Sequence, residues 1–126
     1  MLAVASRLPR ASRLAALLIL TGLIGMAGNV AYGFDTIHMS LGDTQLVDQP
    51  GAANLIKPLG LFFPLALVLM GAAIIRLGSR WPGALVIVAG LLWPVAHIGN
   101  VATLAVAVNV LLVLGFGSLV WRPPAR

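Results

Sequence analysis

From Trp81 to Trp121 the chain runs for 41 residues, WPGALVIVAGLLWPVAHIGNVATLAVAVNVLLVLGFGSLVW, without one Asp, Glu, Lys or Arg. A single straight helix of that length would measure roughly 60 Å, about twice the hydrocarbon thickness of a bilayer. The run therefore has to fold back on itself, and His97-Ile98-Gly99-Asn100 is the plausible place to do so. The expected product is a membrane hairpin with both ends on one side and a histidine at its tip.

Composition extends that constraint to the whole chain. With 60% hydrophobic and 9% charged residues and a mean hydropathy of +1.05, the 126 residues lie outside the range of soluble globular domains. One integral membrane domain, residues 1–126, accounts for the length. The net charge of +5 and pI near 11.6 do not call for nucleic acid. The basic residues sit just outside apolar runs, where membrane topology wants them, and no aromatic residues interleave with them. Cysteine is absent, which excludes disulfides, thiolate metal sites and cysteine nucleophiles.

Read in order, Met1 to Arg13 is a short basic leader, and Leu14 to Gly33 is an uncharged run long enough to span. A cleaved signal peptide is the rival reading of this run, since Ala31-Tyr32-Gly33 offers small residues in an A-x-A-like arrangement. The run is longer than the usual signal core, however, and Gly22, Gly25, Asn29 and Tyr32 share one helical face. Phe34 to Lys57 forms an outer loop of 24 residues. Within it Ile37, Met39 and Leu41 alternate with His38 and Ser40 ahead of Gly42-Asp43, the pattern of a small β-hairpin with a II′-type turn. Asp48 then reads as a helix cap with Pro50 in the first turn. The remaining spans are expected over 58–77, 81–97 and 101–121, with Pro64 kinking the second. The sum is an all-α, four-transmembrane-helix bundle.

Charge sets the expected orientation. With both termini in the cytoplasm, Arg7, Arg10, Arg13, Arg76, Arg80, Arg122 and Arg126 fall inside, while Lys57 and the three aspartates fall outside. Trp81 and Trp121 then flank the inner interface and Tyr32 and Phe34 the outer one. The expected location is a bacterial cytoplasmic membrane.

Enzyme signatures are missing: there is no GxSxG, HExxH, P-loop or GxGxxG sequence. Gly115-Phe-Gly-Ser118 lies inside the fourth span and reads as helix packing. In size the chain is similar to the small multidrug-efflux transporters. Those rely on a membrane-embedded glutamate in the first span, and this chain has no glutamate at all.

One constellation remains. Gly83, Ile87, Gly90, Pro94 and His97 follow a 4-3-4-3 spacing, which sets His97 on the glycine face of the third span. Asn29, His97, Asn100 and Asn109 are thereby the candidate ligand-binding residues of an outer-half pocket. The plainer alternatives are a turn cap for His97 and interhelical hydrogen-bond glue for Asn29 and Asn109, worth roughly 1 kcal/mol each. Asp35, His38 and His97 would form a metal site only if the loop were helical there. Gly22, Gly25, Gly83 and Gly90 are the expected packing positions. Two functions follow. One is a non-enzymatic accessory or scaffold subunit that offers its glycine faces to another membrane protein or to a second copy. The other is a ligand-binding or redox-associated bundle for a quinone, lipid or similar amphipathic molecule.

Overall fold

The computed structural model describes residues 1–120, and among these every regular element is helical. Trp121, the expected last residue of a fourth span, and the tail arginines Arg122 and Arg126 lie outside the described residues. Five α-helices follow one another: α1 (Leu2–Ala5), α2 (Arg13–Ser40), α3 (Ile56–Arg76), α4 (Arg80–His97) and α5 (Ala102–Val120). Three of them, α2, α3 and α5, are long and apolar enough to cross a membrane by length and composition, as in an integral membrane protein. α4 has 18 residues, and Arg80 and His97 at its two ends dilute its apolar middle.

The leader is not a free tail. Met1 to Leu8 turns back on the bundle, burying Ala5 and Leu8 against the core and laying the Met1 side chain over Gly22. Ser12 then caps α2 by accepting from the Ala15 N–H.

α2 runs seven residues past the expected end of the first span, and this overturns the β-hairpin reading. The alternation Ile37-His38-Met39-Ser40-Leu41 lies in and at the end of a helix, and no strand forms among the described residues. The reason is cooperative. A helix already nucleated in the apolar run gains a hydrogen bond with each added residue, and no breaker intervenes before Gly42. The hydroxyls of Thr36 and Ser40 donate to the carbonyls of Tyr32 and Ile37, so neither competes for a different backbone path. Gly42, at φ 88°, ends the helix with its N–H on the Met39 carbonyl.

The expected helix start at Asp48-Pro50 is also corrected. Two 3₁₀ turns, Leu46–Asp48 and Ala52–Leu55, fill the loop, and α3 begins only at Ile56. Gly51, at φ 101°, separates them.

α3 stops at a Schellman motif: Gly78 donates to the Ile75 carbonyl and Ser79 to the Ile74 carbonyl. The long uncharged run breaks where expected, with α4 ending at His97 and α5 beginning at Ala102. The residue that takes the left-handed conformation is Asn100, at φ 54°, rather than the glycine beside it.

Packing is sequential: α2 meets α3, α3 meets α4, and α4 meets α5, with no interface between α2 and α5. The four long helices form an antiparallel row rather than a closed bundle. Its core lies on α3 and α4, where Ala66, Ala73, Val86 and Ala89 are fully buried. α5 is the least covered and buries Val108 and Gly115. The up-down order gathers Arg7, Arg10, Arg13, Arg76 and Arg80 at one end, here the arginine end. Asp35, Asp43, Asp48 and Lys57 collect at the other, the aspartate end.

Candidate functional site: a cavity at the aspartate end

Three helices and the loop enclose a cavity of 570 Å³ at the aspartate end. That volume falls in the range of small-molecule sites, about 300–1,000 Å³. α2 supplies Asn29 and Tyr32, one turn apart on the same face. α4 supplies Trp93 and His97, also one turn apart, and Ile98. The opening turns of α3 supply Lys57, Pro58, Gly60 and Leu61, and the loop contributes Gln45 and Val47. The walls are mainly apolar, with a few polar groups interspersed.

Glycines let the cavity's helices meet below it and leave room inside it. A methyl group on Gly25 would overlap the backbone of Phe62 and Phe63, and one on Gly28 the backbone of Leu59 and Gly60. α2 therefore lies against α3 at van der Waals distance just beneath Asn29. Gly60 itself has nothing within 4 Å of where a Cβ would stand.

The aromatic groups are ordered. Trp93 and His97 stack with centroids 4.5 Å apart and planes 13° apart, and Phe63 tilts against Trp93 at 5.5 Å. His97 Nδ1 lies 3.2 Å from the Trp93 carbonyl oxygen. A carbonyl only accepts, so Nδ1 is the donor in this contact. The side chains of Asn29, Tyr32 and Gln45 make no hydrogen bond to protein among the described residues.

Asp35 holds the loop side together. Its carboxylate is 1% exposed and accepts hydrogen bonds from the backbone N–H of Leu46 and, at 3.1 Å, of Val47. These are the first N–H groups of the 3₁₀ turn that carries Val47 into the cavity wall. A carboxylate buried this deeply needs such donors to offset its desolvation.

Of the four residues expected to bind a ligand, Asn29 and His97 share the cavity and the other two do not. Asn100 is exposed and serves the turn. Asn109 is exposed on α5, where its amide donates to the Ala105 carbonyl of its own helix. The metal triad is not assembled either. Asp35 is engaged by the loop, and His38 pairs at the surface with Asp43 at 3.1 Å. His97 lies on α4 with its Nδ1 on the Trp93 carbonyl. Among the described residues no three His, Cys, Asp or Glu are grouped to hold a metal ion.

Sequence reasoning missed Lys57, Gln45 and Trp93. A signal existed for Trp93, four residues before His97 and so on its face. For Gln45 there was none, because Asp35 and a 3₁₀ turn carry that segment to the cavity wall. No known protein family, characterised protein or solved structure matches this chain.

Proposed function

We propose that this chain is a four-span protein of the bacterial cytoplasmic membrane, termini inside, that holds an amphipathic ligand in the cavity at its aspartate end. A quinone, a lipid or a molecule of that build fits the chemistry. Apolar helix sides would take its tail, and Asn29, Tyr32, Gln45 and the His97 Nε2 would receive a polar headgroup. The supporting observation is the meeting of Asn29 and His97, from helices distant in sequence, on one cavity where the side chains of Asn29, Tyr32 and Gln45 make no hydrogen bond to protein among the described residues. In a membrane setting, such groups call for a partner. The four-span count rests on α4, which packs between α3 and α5 and carries the same apolar middle.

The accessory-subunit reading keeps one argument. Gly25 and Gly28 of α2, Gly71 of α3 and Gly83 and Gly90 of α4 pack within the chain, so a partner would meet other surfaces. α5, however, leaves most of its apolar surface uncovered, and another membrane protein or a second copy would find room there.

The test is purification in mild detergent followed by native mass spectrometry and solvent extraction. A retained amphipathic molecule, lost in Gly60→Leu, is the expected result. That substitution fills the cavity from a position where a side chain meets nothing. A stoichiometric protein partner with no small molecule would favour the accessory reading instead.

A further inference from the structure

We infer that the arginine end carries a second site, which binds one anionic phospholipid through Arg7. A cavity of 740 Å³ opens there between α1, α3 and α5. Its apolar walls include Ile74 and Leu77 of α3 and Phe116 and Leu119 of α5, two helices that form no interface with each other. The groove between them is open for acyl chains. Arg7 is among the residues that line this cavity.

Two observations separate this from a merely topological cluster of positive charge. First, the backbone that carries the exposed Arg7 is anchored. Ala5 and Leu8, on either side of it, are buried in the core, and α1 packs on both α2 and α3. An arginine that only sets orientation needs no such anchoring. Second, no Asp or Glu side chain lies at this end among the described residues, since none occurs before Asp35 or after Asp48. A guanidinium beside an apolar groove then matches a phosphate with its tails, by charge and by geometry.

The full chain in mixed detergent micelles is titrated with phosphatidylglycerol or phosphatidylcholine, and bound lipid is counted by native mass spectrometry. Phosphatidylglycerol should bind preferentially, and R7Q should weaken it about fivefold while leaving phosphatidylcholine unchanged. R7K should retain most of the preference. R10Q, at the same end but off the cavity, should change little. Leu119→Trp, which fills the groove, should weaken phosphatidylglycerol with the charge intact. Equal binding of the two lipids would overturn the inference, as would equal losses in R7Q and R10Q, which would mark a diffuse field. Displacement by inorganic phosphate at constant ionic strength would also overturn it, because the site would then recognise phosphate rather than lipid. In a Gly60→Leu background, where lipid held at the aspartate end drops out of the count, the phosphatidylglycerol preference and its loss in R7Q should persist, so failure here and failure of the aspartate-end pocket are distinguishable.

Discussion

Gly71 of α3 and Gly83 of α4 stand face to face, so that a Cβ on Gly71 would lie 2.6 Å from the Gly83 carbonyl oxygen and one on Gly83 would lie 2.5 Å from the Gly71 oxygen. Two helices in lipid gain little from excluding water, so close backbone contact of this kind supplies much of their attraction. Gly83→Leu should push α4 off α3 and destabilise the fold by about 1–3 kcal/mol, the usual cost of overpacking. Thermal unfolding in detergent checks this. Val88→Leu, on an exposed stretch of α4, should melt like the parent.

The converse holds where a glycine faces open space. Gly33 lies inside α2 with nothing within 4 Å of a built Cβ. Gly33→Ala should raise stability by about 0.5–1 kcal/mol, because alanine loses less backbone entropy in a helix. A destabilised Gly33→Ala would mean that another surface covers this face of α2.

The two glycine results show what the sequence could and could not disclose. Spacing placed Gly83 and Gly90 on one face of α4, and a Cβ at Gly90 indeed meets Leu67, Pro64 and Val68 at 3.0 Å. Gly71 and Gly28 were not singled out, because a glycine's partner lies on another helix and periodicity within one helix is silent about it. α3 and α4 begin and end within two residues of the expected spans, and α5 begins one residue after its expected start, its expected end at Trp121 lying outside the described residues. Hydrophobic runs bounded by arginine, Gly-Asn or proline leave little choice there. α2 did not, because a five-residue alternation fits both a strand and a helix, and only the absence of a breaker before Gly42 decides it. The cavity was half legible. Asn29 and His97 lie on small-residue faces that periodicity exposes, whereas Gln45 reaches the wall through long-range hydrogen bonds to Asp35.

That link gives a prediction for the loop. Asp35→Ala removes the acceptor for two backbone N–H groups, and charged hydrogen bonds of this kind contribute about 1.5–3 kcal/mol each. Hydrogen exchange at Leu46 and Val47 should accelerate strongly while amides in the middle of α3 stay protected. Uniform loss of protection along the chain would assign Asp35 to the global fold instead.

Topology is open to a direct check because the chain has no cysteine. Single cysteines at Ser6 and Thr44, one at each end of the row, should label from opposite sides of the membrane, Thr44→Cys with impermeant reagent added outside. Labelling of both from one side would contradict the four-span arrangement.

The central claim is that the aspartate-end cavity takes an amphipathic ligand, and Trp93 in its wall is a built-in reporter. The chain has three tryptophans, so replacing Trp81 and Trp121 by phenylalanine leaves Trp93 as the only one. In that background a short-chain quinone or a brominated phospholipid should quench Trp93 fluorescence along a saturable curve. Gly60→Leu should abolish the saturation. Quenching by both probes that rises linearly without saturating, and to the same extent in Gly60→Leu, would contradict the account.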